Sequence, residues 1–272
     1  MPELPEVESV ARLLRGHLST SLSGTVSQVE VFDHKLFATC TAAEAIDRLS
    51  GSRFCTIDRH GKYLLCAMER SGCHFWLVVH LRMTGRMQIV GAEGEANRHT
   101  RLRIQMSDGS SLLFDDPRRF GQCWLVDDPS SMISKLGPDA LTVTSADFEY
   151  RLRKYRRQIK PLLLDQDFVA GIGNIYADEI LFRSGIHPCC DSSHLTGDQI
   201  TRLHGFVRSV LAQAVDEKGA NIDGVFKAGM FQVAVYGRDG EPCDVCGTPI
   251  QKIRLGQRGT HFCPVCQVVG AR

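Results

Sequence analysis

The spacing of hydrophobic positions changes twice along the chain, and those changes divide it. Within residues 3–14, Val7, Val10, Ala11 and Leu14 fall on one helical face, which predicts a short extended tip followed by a helix. From Thr25 to Val126 the interval becomes two. The segments 25–32, 53–68, 74–90, 101–106 and 111–126 read as strands, and Asp108-Gly109 between two of them is a hairpin signal. Consecutive strands without helices between them predict an antiparallel sandwich or barrel.

Around residues 129–138 a turn-rich stretch containing Asp127-Asp128-Pro129-Ser130-Ser131 marks a domain boundary. Beyond it the pattern is helical. Ser145 is positioned to cap a helix carrying Phe148, Leu152, Tyr155 and Ile159, with Pro161 ending it. Gly171-Ile172-Gly173-Asn174 predicts a tight turn before a helix over about 175–183. Thr196 and Gln199 form a capping box for a helix whose stripe is Ile200, Leu203, Val207, Val210, Leu211 and Ala214, closed near Gly219.

Length and composition add bounds. The 272 residues suffice for more than one domain with a full core. A formal net charge of +1 announces no polyanion partner; its distribution is more telling. Arg151, Arg153, Lys154, Arg156, Arg157 and Lys160 lie within ten residues that contain no acid, a local basic patch whose plain alternative is a solvated helix face. The start, with Pro2, Glu3, Glu6 and Glu8, lacks the charged-then-apolar layout of a signal peptide. No apolar run approaches the roughly 18 residues needed to span a bilayer. Of eleven cysteines, Cys40, Cys55, Cys66, Cys73, Cys123, Cys189 and Cys190 are scattered through apolar segments, which suits reduced core thiols in a soluble intracellular protein.

The other four have metal-ligand spacing. Cys243-Asp-Val-Cys246 and Cys263-Pro-Val-Cys266 stand sixteen residues apart, the signature of a four-thiolate structural zinc site with each pair on a turn at a hairpin end. Four protein ligands fill a tetrahedron, so the ion would fold a tail too small to hold itself together and would not activate water. Between the pairs lie Lys252, Arg254, Arg258 and His261, with Gly256 and Gly259 allowing sharp turns. Basic residues at the tip of such a hairpin suit phosphate contact; a plain solvated hairpin is the alternative.

Met1-Pro2-Glu3 carries the second chemistry. Removal of Met1 before the small Pro2 leaves a secondary amine that is partly unprotonated at neutral pH. Its attack on a sugar C1′ gives an iminium, cationic without a further proton and a strong electron sink. Glu3 stands beside it as an acid for the ring oxygen. Many proteins begin Met-Pro, so this stretch acquires meaning only in company.

The company is specific. Met1-Pro-Glu-Leu-Pro-Glu-Val-Glu8, Asp116-Pro-Arg-Arg-Phe-Gly121, Gly171-Ile-Gly-Asn-Ile-Tyr-Ala-Asp-Glu179, Tyr236-Gly-Arg-Asp-Gly-Glu-Pro-Cys243 and Arg258-Gly-Thr-His-Phe-Cys-Pro-Val-Cys-Gln267 together closely resemble the formamidopyrimidine-DNA glycosylase family over essentially the whole chain. The resemblance implies an α+β fold: an N-terminal β-sandwich over 1–130, a helix-two-turns-helix domain over 131–236 and a zinc finger over 237–272. It implies excision of oxidised purines from double-stranded DNA in the bacterial cytoplasm, at the nucleoid, followed by β,δ-elimination of the strand. A monomer is the default expectation, since the sequence shows no oligomerisation signal. Matched position by position, Pro2 is the Schiff-base nucleophile and Glu3 the proton donor. Lys62 serves β-elimination and Arg258 δ-elimination. His99, Arg118, Arg156 and Asn174 contact DNA, while Met83, Arg118 and Phe120 fill the gap left by the rotated nucleotide. That chemistry requires flipping, since a stacked base hides its C1′ from an amine, and an apolar wedge offsets part of the unstacking cost.

One segment departs from the family pattern. Residues 219–231 lack the usual threonines and the loop looks short, which leaves the preference between 8-oxoguanine and ring-opened purines open. The competing readings are an endonuclease VIII-like pyrimidine glycosylase, a catalytically silent DNA binder and a zinc ribbon for protein contacts. The Gly259-Thr260-His261-Phe262 run weighs against the first. Intact Pro2, Glu3 and Lys62 weigh against the second, and the basic run with the N-terminus against the third.

Overall fold

Each long alternating segment breaks into two strands; 53–68 folds back on itself as an antiparallel pair, whereas 74–90 and 111–126 each pass from one sheet to the other. The computed structural model describes residues 1–18, 24–222, 224 and 228–267. These form two compact units, one built on Met1–Ser134 and the other on Lys135–Ala220 with the segment from Ala228.

The first unit opens with α1 (Leu4–His17). Pro5 in its first turn, a Glu3–Glu6 capping box and basic Arg15 and His17 in its last turn explain why a helix forms there. It runs three residues beyond the predicted stripe. Then come β1 (Val26–Val31), α2 (Ala42–Leu49), β2 (Arg53–His60), β3 (Tyr63–Arg70), β4 (Cys73–His80), β5 (Arg86–Val90), β6 (Thr100–Met106), β7 (Ser111–Asp115), β8 (Gln122–Val126) and the single-turn α3 (Ser130–Ile133). Two four-stranded antiparallel sheets result, ordered β1-β6-β7-β5 and β2-β3-β4-β8. One core takes side chains from both sheets and from α1, including Leu14, Val29, Phe54, Leu64, Leu77, Ile104 and Phe114. The Asp108-Gly109 hairpin is present, with Gly109 at φ +87° where a side chain is disfavoured. The period-two reading does not anticipate α2, whose Thr41–Glu44 capping box starts it and which buries only Ala45 and Leu49.

The second unit holds α4 (Ser145–Leu152), α5 (Ile159–Leu164), α6 (Asn174–Ser184), α7 (Gly197–Asp216) and a hairpin of β9 (Gln251–Leu255) and β10 (Arg258–Phe262). Two sequence expectations need correcting. The cap of α4 is Thr144, whose hydroxyl accepts the Asp147 N–H at 3.1 Å, and not Ser145. Pro161 does not end that helix; it lies in the first turn of the separate α5, where no intrahelical donor is required of it. The α7 capping box forms as expected, with Thr196 accepting from Gln199 and the full predicted stripe buried. Of the 219–231 segment, Asp223 and residues 225–227 lie outside the described residues. Its two ends are tied by Met230 N–H to Glu217 O (2.8 Å) and Phe231 N–H to Gly219 O (3.1 Å).

Candidate functional site

At the start of the chain, Pro2 is buried and directly precedes Glu3, the N-cap of α1. Glu3 is 1% exposed, and its backbone N–H donates to Glu6 Oε2 at 2.8 Å, which fixes the extended tip. Lys62 follows Gly61 (φ +55°) in the β2–β3 turn and is also buried. Helix α1 packs on β2 and β3, and a charge cluster joins them. Glu8 receives Arg59 Nε at 2.9 Å and Arg15 Nη1 at 3.0 Å, while Arg59 Nη1 donates to Gly61 O at 3.0 Å. Burial pushes the Glu8 carboxyl up, but the hydrogen bonds from Arg15 and Arg59 outweigh it and hold it below its usual range. Arg59 therefore ties the helix bearing Glu3 to the turn bearing Lys62. Sequence reasoning missed it because its partner is 51 positions away.

The segments carrying the resemblance-derived residues Met83, His99, Arg118 and Phe120 are joined in the first unit through one buried aspartate. Asp116 accepts the Thr84 hydroxyl (2.5 Å) and the Gly121 N–H (2.7 Å), and its own N–H donates to His99 O (2.8 Å). The Arg118 N–H reaches the Thr84 hydroxyl at 3.3 Å. The turn after β4, the turn after β7 and the loop before β6 are thus stitched side by side. Asp115 secures that loop from behind, accepting Thr100 Oγ1 at 2.7 Å and Asn97 Nδ2 at 3.1 Å. The Arg118 guanidinium rests 4.9 Å over the Phe120 ring, which is 51% exposed, an uncommon position for a large apolar side chain. His80, at the end of β4, accepts the Arg82 N–H on Nδ1 at 3.0 Å. Burial pushes its ring down to about 3, with the charges of Arg82 and Lys62 acting the same way.

In the second unit the four predicted cysteines converge. Their Sγ atoms all lie within 4.8 Å of one another, with Cys246 to Cys263 at 3.4 Å and Cys243 to Cys266 at 3.9 Å. Zinc–sulfur bonds near 2.3 Å in a tetrahedron place sulfurs about 3.8 Å apart. The thiols fit one structural zinc ion, and with four protein ligands none of its positions is left for a substrate.

The basic run is not the solvated helix face that the sequence allows. It leaves α4 after Leu152 and its cations take different partners. Arg151 pairs with Asp147, Arg153 with Glu149 and Arg157 with Asp165. Lys160 is fully buried against Asp178. Arg156 is exposed. Lys160 Nζ also donates to Gly259 O (2.9 Å) and Thr260 Oγ1 (2.8 Å), and Asn174 Nδ2 donates to Gly259 O (3.1 Å). Residues from α5 and α6 thereby grip the backbone immediately after Arg258, which is exposed beside the hairpin tip and borders a cavity of about 300 Å³. His261 does not serve the tip as expected; it is buried, with its N–H on Asp178 Oδ2 at 2.9 Å. Cys55 and Cys73 are exposed, which corrects the reading of all seven remaining cysteines as core thiols.

An antiparallel sandwich, a helical unit and a hairpin closed by four thiols define the modular α+β class of zinc-finger DNA-repair glycosylases, and the comparisons narrow this further. Residues 1–123 match the formamidopyrimidine-DNA glycosylase N-terminal domain, residues 136–224 its H2TH domain, and residues 240–268 the zinc finger found in FPG and IleRS. The formamidopyrimidine-DNA glycosylase of Bacillus subtilis is 39% identical, covering 98% of this chain and 99% of that one. The enzyme of Exiguobacterium sibiricum is 40% identical, covering 99% of each. A solved structure of MutM with DNA containing carbocyclic 8-oxo-G superposes with a TM-score of 0.88 at 35% identity, over 98% of this chain and 99% of that one. The Lactococcus lactis enzyme with Fapy-dG DNA gives 0.87 at 35%, over 97% and 99%. The chain belongs to the formamidopyrimidine-DNA glycosylase family. It is a base-excision-repair DNA glycosylase and abasic-site lyase with one structural zinc site.

Proposed function

We propose that this enzyme removes oxidised purines, 8-oxoguanine and formamidopyrimidines, from double-stranded DNA through a Schiff base on Pro2, and then breaks the strand by β,δ-elimination. The observation that carries this reading is the N-terminus itself. Pro2 is buried directly before the helix cap, and Glu3 is held beside it by the Glu6 carboxylate. After removal of Met1 the Pro2 nitrogen attacks C1′ and the damaged base departs. Glu3 delivers a proton to the ring oxygen as the sugar opens, and the resulting iminium draws electrons from C2′.

Lys62 is the base for the first elimination, and Arg258 serves the second while gripping phosphate. His99, Arg118, Arg156 and Asn174 contact DNA, and Met83, Arg118 and Phe120 enter the stack behind the flipped nucleotide. Cys243, Cys246, Cys263 and Cys266 hold the zinc that stiffens the hairpin below Arg258. The working divisions are 1–130, 131–236 and 237–272. The enzyme acts as a monomer on the nucleoid in the cytoplasm, a reading supported as to place by relatives that are bacterial DNA-repair enzymes.

Borohydride trapping tests the reading across 8-oxoguanine, ring-opened purine and oxidised pyrimidine duplexes. The processed protein is expected to be captured covalently on the purine lesions, and Pro2→Gly to reduce capture sharply. Failure to trap on any lesion, or full activity with Met1 retained, refutes it.

A further inference from the structure

Two arginines of the first unit occupy the left-handed backbone region, Arg82 at φ +56° and Arg119 at φ +59°, where a side chain is disfavoured. Each immediately precedes an apolar residue assigned above to the gap in the stack, Met83 and Phe120. Each also ties its own side chain to a neighbour in the protein, although the Arg119 side chain stays 50% exposed. Arg82 Nη2 donates to Gln122 Oε1 at 2.9 Å. Arg119 makes a full fork, with Nε on Asp33 Oδ2 at 2.7 Å and Nη2 on Asp33 Oδ1 at 2.8 Å.

The fork separates Arg119 from its neighbours. Asp33 is 4% exposed, so the carboxylate is a fixed anchor, and its other bond comes from the Lys35 N–H at 3.1 Å. An arginine meant for phosphate would keep its fork outward; this one is committed to Asp33, and the pair adds little net charge to the surface. A lysine could keep the charge but not the two-point grip. A glycine would remove the local strain but leave the turn free to choose other conformations. Strain retained at φ +59° between Arg118 and Phe120, and held there by a bidentate ion pair, marks a turn whose shape matters.

We propose that Arg119, clamped by Asp33, is the positioning residue that keeps Arg118 and Phe120 outward, so that the wedge is formed before DNA arrives. This rests on the glycosylase reading given above for Arg118 and Phe120. A preformed wedge avoids an ordering cost during binding. Its loss acts on duplex substrates, which must be opened, and not on the amine chemistry, which a single-stranded abasic site already exposes.

The test uses the full-length, zinc-loaded protein and three readouts: single-turnover base release from an 8-oxoguanine duplex, 2-aminopurine fluorescence beside the lesion, and borohydride trapping on a single-stranded abasic oligonucleotide. Arg119→Gly and Arg119→Lys are both expected to lower duplex base release on the order of tenfold, the scale of a lost charge-assisted clamp, and to reduce the fluorescence rise. Single-strand trapping is expected to hold in both variants, while the melting temperature falls modestly because Asp33 loses its partner. The inference is overturned if trapping falls in step with duplex release, if neither changes, or if lysine behaves as arginine. Unmodified protein that traps nothing refutes the glycosylase reading instead, so the two failures are distinguishable.

Discussion

The Lys160 ammonium lies 2.7 Å from the Asp178 carboxylate, and the two side chains are 1% and 0% exposed. The same ammonium holds Gly259 O and the Thr260 hydroxyl, and the same carboxylate holds the His261 N–H. Helices α5 and α6 are thereby joined to β10 directly behind Arg258. Removing one member strands the other charge in a dry site, at a cost of about 3–5 kcal/mol. Asp178→Asn and Lys160→Met should each lower stability by that order in denaturant titration. Replacing both with apolar residues should cost less than the sum of the singles, and strict additivity would refute the coupling.

Zinc is expected to behave as structure and not as chemistry. The Cys243, Cys246, Cys263 and Cys266 site joins two short turns around a hairpin whose small buried cluster, among the described residues, is Val235, Ile250 and the ligands Cys243 and Cys263, with Phe182 and Cys266 packed against it. Binding energy at such a site is folding energy. Chelation, or Cys263→Ser, should abolish amide-exchange protection in β9 and β10 while the β2-β3-β4 ladder stays protected. Affinity for abasic duplex should fall with it, since Arg258 loses its support. Retained protection in the hairpin after metal removal would contradict this.

Acid should weaken the first unit partly through His80. Burial, with Arg82 and Lys62 nearby, takes this ring from an ordinary 6.5 down to about 3. Between those values the unfolded chain binds a proton that the folded one refuses. The contribution is therefore fully present above about pH 6.5 and is lost as pH falls towards 3. His80→Gln should flatten the dependence of melting temperature on pH across that window, leaving carboxylate-driven loss at the acid end, where Glu8 and Asp33 are held low by arginines. An unchanged slope would remove His80 as a cause.

Much of the fold was legible because it was periodic. The stripes of α1 and α7 and the alternation of β6 name the faces that are buried, and a spaced quartet of cysteines names its own partners. What escaped is what periodicity does not encode. Three of the strand runs are broken, at Gly61-Lys62, at residues 81–85 and at residues 116–121, and at the last two the chain passes from one sheet to the other, a partner choice that periodicity does not encode. The short α2 buries too few residues to register. The basic run looked uniform in sequence, yet Lys160 is buried, Arg157 is paired and Arg156 is exposed, since partners such as Asp178 are supplied by distant helices. The arginines Arg59 and Arg119 carry no linear signal, because each finds its acid across more than 50 positions.

The short run from Pro2 to the helix cap at Glu3 has a practical corollary under the proposed chemistry. Once Met1 is removed, only Pro2 separates the reacting nitrogen from the cap at Glu3, so that nitrogen must be the free terminus for the chemistry to run. While Met1 remains, the Pro2 nitrogen is an amide and cannot react, so under this chemistry its removal arms the enzyme. An affinity handle would belong at the carboxyl end, because any fusion at the other would turn the reacting amine into an amide.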